Sequence, residues 1–190
     1  MSSRDSILSA LRDLDLPEQD MPQIQIEANH EDLMGQLKKN LDGAAGELQV
    51  ISDISEIQDR LDGMIADNQQ VLSLIEGLRG NRELDAQSRD LKDVDVAVLS
   101  GDLACAENGA VYVRDTVTGH RVVPFITENL ALVVKKENIV ANMHEAMNSL
   151  TLEPGGFASF IAGPSKTADI EQALVVGAHG ACSLTLYIIE

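Results

Sequence analysis

The sequence is poor in cysteine and in positive charge, and each shortage argues against a class of protein. Its two cysteines, Cys105 and Cys182, are far apart and form no CxxC pair. This argues against a disulfide framework, a zinc site or cluster ligation, and we expect two buried, reduced thiols. With 14 basic against 31 acidic side chains the net charge is −17, which repels phosphate backbones and anionic membrane surfaces. Nucleic acid is therefore not an expected partner.

Long apolar runs are also missing. No stretch approaches the roughly 20 apolar residues that cross a bilayer, so no membrane span is expected. The N-terminal stretch through Met21 lacks the apolar core and cleavage site of a signal peptide, and we expect a cytoplasmic protein. At 190 residues and 44% hydrophobic content, the chain can bury one sizeable core, which predicts one principal domain.

The apolar pattern alternates between strands and helices. Strands rich in Val, Ile and Leu, several of them apolar at consecutive positions as in sheets covered on both faces, are predicted at ELQVI, QVLSLIE, VDVAVLS, NGAVYVR, LALVV, FASFIAG and SLTLYII. Helical spacing occurs in RDSILSALRDL, HEDLMGQLKKNL, ISEIQDRLDGMI, ENIVANMHEAMNSL and TADIEQALVV. This order predicts an α/β layered domain with a largely parallel sheet.

The N-terminal region reads as a separate arm. Residues 1–14 predict a short helix, and the proline-containing stretch after it predicts a linker. We therefore divide the chain into an arm over residues 1–28 and an α/β domain over residues 29–190. Residues 81–93 predict a solvated connection with one or two short helical turns.

The segment FASFIAGPSKTADIE predicts a strand, a turn and a helix that begins near Thr167 as its N-cap. The N–H groups of such a helix start, with Ser165 and Lys166 beside them, predict a site for a carboxylate or phosphate. The alternative is a well-capped turn without a ligand. The segment is not a P-loop, because the G-x-x-x-x-G-K-[ST] spacing is absent.

A second candidate region surrounds the turn at Asn108 and Gly109. The turn holds the carboxylate of Glu107 at a strand end, where such groups often face the ligand crevice of an open α/β sheet. The alternative is a solvated glutamate.

Three positively charged or titratable side chains follow this turn, namely Arg114, His120 and Arg121. They predict a clamp for a carboxylate or phosphate. Surface pairing with Asp115 and Glu128 is the alternative.

His179 stands between two glycines in GAHG, which places an imidazole at the mouth of the last predicted strand. His30 and His144 lie in helical patterns and are expected to be solvated. No HExxH or comparable spacing predicts a metal site, and no G-x-G-x-x-G or G-x-S-x-G motif predicts a dinucleotide site or a nucleophile. We therefore expect no cofactor bound by this chain.

The motifs AENGAVYV, HRVVPF and GPSKTADIEQALVVGAHG, in this order, resemble the lactate-utilisation protein C family, the LUD domain. The resemblance implies a three-layer α/β/α, NagB/RpiA/CoA transferase-like fold. It also implies a non-redox component that helps oxidise L-lactate to pyruvate beside iron-sulfur partner proteins, whose clusters carry the electrons. The matching positions are Glu107, Gly109, His120, Pro124, Ser165, Thr167, Asp169, Glu171, His179 and Gly180.

Two positions depart from the family pattern. Asn108 stands where a threonine is common, and Ala181 stands where a proline is common, which leaves the substrate open. The alternative function is a stand-alone domain that binds a small organic acid, a sugar phosphate or a coenzyme A thioester. A homo-oligomer is a further open alternative. The candidate ligand-binding residues are Glu107, Asn108, Gly109, His120, Arg121, Ser165, Lys166, Thr167 and His179.

Overall fold

A computed structural model describes residues 2–14, 19–20, 22, 24, 26–85, 87–150, 154–168 and 174–190. Its centre is a five-stranded sheet in which all neighbouring strands are parallel. In chain order its strands are β1 (Glu47–Ile51), β2 (Val71–Ser73), β3 (Val96–Ser100), β6 (Asn129–Lys135) and β11 (Ser183–Ile189). In space they follow the order β1-β11-β6-β3-β2, which places the last strand of the chain near the middle of the sheet.

Apolar residues cover both faces of this sheet. In β6, Leu130 and Leu132 belong to one buried cluster, whereas Ala131 and Val133 belong to another. Successive side chains of a strand point to opposite faces, so consecutive apolar residues mark a strand packed on two sides. The structure confirms the prediction of an α/β layered domain with a largely parallel sheet.

The helices of the described chain flank the sheet and its connections. Their bounds are α1 (Ser3–Arg12), α2 (Leu33–Gly43), α3 (Ser55–Ala66), α4 (Asp115–Thr118), α5 (Val123–Ile126) and α6 (Met143–Ser149), with 3-10 turns at Ser88–Leu91 and Lys136–Asn138. Leu37 and Leu41 of α2 enter the first cluster, while Ile57 and Leu61 of α3 enter the second. Helices on opposite faces thus give the layered arrangement.

A second, four-stranded sheet packs beside the first. Its strands are β4 (Leu103–Cys105), β5 (Ala110–Arg114), β7 (Ile139–Val140) and β8 (Ala158–Ile161), in the order β7-β4-β5-β8. The pairs β4–β5 and β5–β8 are antiparallel, and β4–β7 is parallel. Two predicted strands, NGAVYVR and FASFIAG, therefore belong to this sheet and not to the parallel one.

Two predicted helices require correction. The stretch 137–150 is helical only in its second part, because the side chain of Asn142 accepts a hydrogen bond from the Glu145 amide and starts α6 at Met143. Ile139 and Val140 pair with β4 instead. Both side chains are β-branched and pack well in a sheet. The helical spacing of this stretch therefore predicts a helix that begins too early.

The predicted helix from Thr167 is the second correction. Lys166–Ala168 form β9 and Leu174–Val176 form β10, which pair antiparallel. Thr167 lies opposite Val175 in this pair, and such β-branched pairs favour a sheet over a helix. The predicted positions Asp169 and Glu171 lie outside the described residues.

The described helices have no member long and apolar enough to cross a membrane.

The arm keeps its predicted helix, α1, and none of its residues is buried. Its division from the rest of the chain at residue 28 stays a prediction. The connection at residues 81–93 contains the predicted short turn, at Ser88–Leu91.

Candidate functional site

A cleft forms where the segment after β8 meets the segment before β11. Its volume is about 320 Å³, and its lining includes Ser165, Lys166 and His179. Two hydrogen bonds join the segments: the Ser165 amide donates to the carbonyl of Ala181 at 2.8 Å, and the Gly177 amide donates to the carbonyl of Ser165 at 3.0 Å. The structure thus brings three sequence-predicted residues together, from the GPSK and GAHG ends of one motif.

Apolar side chains complete the cleft. Pro124, Phe125, Leu130 and Phe160 line it from α5, β6 and β8. The lining therefore combines apolar and polar groups, and polar groups that fix the orientation of a ligand beside apolar side chains are common in ligand sites. Sequence reasoning missed the roles of Phe125, Leu130 and Phe160, because each lies in an apolar segment that reads as core.

Lys166 holds the cleft to the end of α2. Its ammonium donates to the carbonyl of Ala44 at 2.5 Å, and Ala44 is the residue that ends the helix. A Cβ on Gly163 would lie 2.2 Å from the same carbonyl oxygen, so the glycine permits this close approach. The lysine is exposed and carries three N–H donors, two more than the Ala44 contact uses.

Gly180 keeps the space beside the Ser165 side chain open. A Cβ at this position would lie 3.1 Å from the Cβ and 3.5 Å from the Oγ of Ser165. Alanine at this position would therefore occupy part of the cleft without removing any hydrogen-bonding group.

Thr167 does not act as a helix N-cap. It lies in β9, and its hydroxyl donates to the carbonyl of Val175 at 3.3 Å. The predicted anion site at a helix start is therefore wrong, because β9 supplies no helix N-terminus. Ser165, Lys166 and His179 lie on a strand and two loops, and Ser159 of β8 is a further polar residue of the lining.

The turn at Asn108 and Gly109 joins β4 to β5, and the cleft lining does not include it. The side-chain oxygen of Asn108 accepts a hydrogen bond from the Ala110 amide at 3.0 Å. The carboxylate of Glu107 accepts one from the Met143 amide at 2.9 Å, where α6 begins. The turn joins two antiparallel strands of the four-stranded sheet and lies outside the five-stranded parallel sheet, and its polar groups bind the protein's own backbone.

The backbone structure explains why glycine occupies position 109. Its φ is +71°, and a Cβ would lie 2.8 Å from backbone atoms of Leu41 in α2. Only glycine combines this conformation with so close an approach.

His120 and Arg121 also lie apart from the cleft lining. His120 accepts a hydrogen bond from the Val122 amide through Nδ1 at 3.2 Å. Arg121 donates to Asp115 at 3.0 Å and to the carbonyl of Gly155 at 3.0 Å. The pairing of Arg121 with Asp115 follows the surface alternative of the sequence analysis and not the anion clamp. Arg114 pairs with Asp102 through two hydrogen bonds of 2.6 and 2.8 Å.

The cysteines are both free, but only Cys105 is buried. Burial raises the pKa of the Cys105 thiol, which keeps it a poor nucleophile. Cys182 is exposed, contrary to the expectation of two buried thiols, because it lies in the loop that precedes β11. Among the described residues, no three His, Cys, Asp or Glu side chains are grouped so that they could hold a metal ion.

Comparison with known families matches residues 52–189 to the LUD domain. The chain belongs to the LUD domain family. The matched range contains both sheets' strands except β1, and all of the cleft residues. The family membership confirms the resemblance drawn from the three motifs.

Several proteins named Lactate utilization protein C are similar to this LUD domain. It is 27% identical over 190 residues to Lactate utilization protein C of Geobacillus thermodenitrificans, covering 94% of this chain and 76% of that protein. It is 32% identical over 107 residues to Lactate utilization protein C of Geobacillus kaustophilus, covering 53% and 43%. With the Oceanobacillus iheyensis protein of the same name it shares 26% identity over 102 residues, covering 50% and 44%. In the last two matches the chain spans less than half of the relative's length.

A solved structure shares the fold of this LUD domain. The crystal structure of a DUF162 family protein from Deinococcus radiodurans superposes with a TM-score of 0.58 at 14% identity, covering 86% of this chain and 100% of that chain. At this level of identity the likeness concerns the fold.

Proposed function

We propose that this chain is a component of an L-lactate utilisation system and binds a small hydroxy or oxo carboxylate in the Ser165–Lys166–His179 cleft. The observation that carries the proposal is that these three residues line one small cleft of a LUD domain. The names of the relatives support lactate as the substrate. A volume of about 320 Å³ is near the lower end of ligand pockets and suits a small acid.

The charge of the cleft supports an anionic ligand. Lys166 is a cationic residue of the cleft lining in a chain whose net charge is −17. The ammonium, the Ser165 hydroxyl and the His179 imidazole can donate hydrogen bonds to a carboxylate, and such charge-assisted bonds are the stronger kind. The apolar wall at Phe125 and Leu130 would face the methyl group of lactate.

The proposal assigns the electrons to partner proteins. Conversion of lactate to pyruvate releases two electrons and two protons, and iron-sulfur clusters of the partners would accept the electrons. The two cysteines of this chain are fewer than the four thiolates that hold a common cluster. In this division of labour the present chain binds and orients the carboxylate.

Ligand-dependent thermal unfolding tests the binding site. A ligand that binds only the folded state raises the unfolding midpoint, and the gain in stability grows with the logarithm of the ligand concentration over its Kd. We expect L-lactate or pyruvate to raise the midpoint, and Lys166→Met to weaken binding by about tenfold or more, since a hydrogen bond to a charged group is worth roughly 1.5–3 kcal/mol. D-lactate, a sugar phosphate and coenzyme A complete the panel.

Matched variants make the test specific. Lys136→Met removes an exposed lysine that pairs with Glu190, and His144→Ala removes an exposed histidine of α6. Both should leave the ligand response unchanged, whereas His179→Ala and Gly180→Ala should reduce it. A response equal in the parent and in Lys166→Met would contradict the cleft as the site. A response to sugar phosphate or coenzyme A alone would favour the stand-alone function.

Reconstitution tests the assignment of the electrons. Pyruvate formation from L-lactate should require both this chain and the iron-sulfur partners. Activity of the partners that is the same with and without this chain would contradict its role in the oxidation.

A further inference from the structure

The helix α1 has an apolar stripe that nothing in its own chain covers. Ile7 and Leu11 recur at the spacing of one helix face, Leu14 continues that spacing two residues beyond the helix end, and Leu8 lies beside them. Their exposed fractions are 58%, 58%, 56% and 37%. A capping box between Ser2 and Asp5 starts the helix, yet isolated helices of this length are marginal in water and depend on packing of an apolar face.

A second apolar surface, partly exposed, lies beside α6 on the four-stranded sheet. It is a groove of about 550 Å³ whose lining includes Tyr112, Met147, Phe157 and Phe160. Met147 is 50% exposed and Phe157 is 37% exposed. We call it the aromatic groove.

The aromatic groove concentrates a residue type that the rest of the chain nearly lacks. The sequence has three phenylalanines, two tyrosines and no tryptophan. Tyr112 and Phe160 pack with ring centres 5.0 Å apart, and Phe157 meets Phe125 at 6.3 Å. Aromatic residues, methionine and arginine are enriched in protein interfaces, and Arg121 lies over the Phe157 ring.

The local charge of α1 and of the aromatic groove differs from that of most of the surface, which is acidic. Residues 2–14 contain two arginines and two aspartates and are neutral, although the chain carries −17. At the groove, Arg114 pairs with Asp102 and Arg121 pairs with Asp115. Two copies of this acidic protein repel one another over most approaches, but α1 and the groove can meet without a net charge penalty.

We propose that two copies of this chain form a dimer by exchanging their N-terminal helices, each α1 lying in the aromatic groove of the other copy. All residues of α1 are exposed in the single chain, so its own body does not cover the stripe. Twenty residues, 13–32, separate α1 from α2, and a fully extended chain of that length spans roughly 65 Å, which suffices to reach a neighbour.

Each single contact between α1 and the aromatic groove is small, and reciprocal exchange compensates by forming the contact twice. The ten residues of α1 give a helix only about 15 Å long. One such helix buries less than a stable interface needs, but twofold exchange counts the contact twice. This brings the buried surface toward the roughly 1,600 Å² of a standard interface. An isologous pairing of this kind closes at two copies.

Sedimentation analysis of the full chain tests the exchange. We expect a dimer for the parent and a loss of association by tenfold or more in Leu11→Asp and in Phe157→Asp. Val175→Asp is the matched control, because Val175 is 47% exposed on β10 and lies outside both surfaces. It should dimerise like the parent. Circular dichroism confirms that each variant is folded.

A fluorescence measurement tests the contact itself. Because the chain has no tryptophan, Leu11→Trp introduces a single reporter at the stripe. We expect the Trp emission of the dimer to be blue-shifted. Dilution, or the additional substitution Phe157→Asp, should move the emission to longer wavelength.

Three outcomes would overturn the proposal. The first is a parent that stays monomeric at its highest soluble concentration. The second is a dimer that Leu11→Asp and Phe157→Asp leave intact. The third is blue-shifted Trp emission in a monomer, which would place α1 in the groove of its own chain.

Discussion

Gly109 and Gly63 show that the same residue type has opposite consequences at two positions. Gly109 turns the chain from β4 into β5 with a positive φ, against the backbone of Leu41. Gly63 lies inside α3, where a Cβ would meet no atom within 4 Å. The sequence predicts the first as a turn glycine from Asn108-Gly109, but the contact with α2 follows only from the tertiary structure.

These environments predict opposite effects of alanine on stability. Gly109→Ala should lower the free energy of unfolding by roughly 1–3 kcal/mol, since the new Cβ meets a forbidden conformation and a close backbone. Gly63→Ala should raise it by about 0.5–1 kcal/mol, because alanine is the better helix former. Urea denaturation measures both. Equal effects of the two substitutions would contradict the assigned role of Gly109.

The side chain of Arg82 holds the connection at residues 81–93 together through several hydrogen bonds. Arg82 donates to Asp85 at 2.6 Å and to Asp93 at 3.1 Å, and it also reaches the carbonyls of Glu83 and Asp90. The hydrogen bond from Arg82 lowers the pKa of Asp93. The sequence indicates only a solvated connection, because the arginine and its partners are up to eleven residues apart and the chain must fold back to join them.

The lowered pKa of Asp93 predicts an acid-sensitive contribution to stability. A carboxylate whose pKa is lower in the folded chain stabilises it above the ordinary value near pH 4, and the contribution is lost as the pH falls through the lowered pKa. Arg82→Gln should therefore flatten the decline of the unfolding free energy below about pH 4.

Arg89→Gln is the matched control for this pH dependence. Arg89 is exposed and lies 3.6 Å from Asp90, so its removal should leave the acid profile close to that of the parent. Denaturant titrations at several pH values measure the profiles. A decline as steep in Arg82→Gln as in the parent would remove the assigned role of the Arg82–Asp93 contact.

At the scale of the whole molecule, β11 joins the two ends of the folded body. It lies between β1 and β6, so the last strand of the chain pairs with the first strand of the sheet. Leu186 and Ile188 in β11 are fully buried in the first cluster, and Tyr187 is buried in the second. The strand therefore contributes to the core on both faces, and it directly follows the GAHG segment of the cleft.

The central position of β11 predicts that shortening the Leu186 side chain has a large effect on stability. Leu186→Ala should lower the free energy of unfolding by about 2–5 kcal/mol through lost apolar contact and a residual cavity. Val175→Ala, on the exposed surface of β10, should change it by less than about 0.5 kcal/mol. Chemical denaturation compares the two. A loss at Leu186 no larger than that at Val175 would contradict β11 as a central strand.

The strand pattern of this protein follows largely from sequence. Each of the seven predicted strands overlaps an observed strand, because segments rich in Val, Ile and Leu pack well in sheets with buried faces. The short strands β4 and β7 were not predicted, since two or three apolar residues carry no periodicity. TADIEQALVV shows the opposite error, in which helical spacing was outweighed by strand pairing of β-branched residues.

Some features of the candidate site likewise follow from the sequence, and others follow only from the tertiary structure. The sequence by itself determined the family, through three motifs, and the residue types that could bind an anion, because chemistry belongs to the side chain. Only the tertiary structure decided which of those residues meet. It joined Ser165, Lys166 and His179 in one cleft and left Glu107 and Arg121 bound to other parts of the chain. The physical reason is that contacts between distant segments depend on how strands pair and pack, which local patterns do not encode.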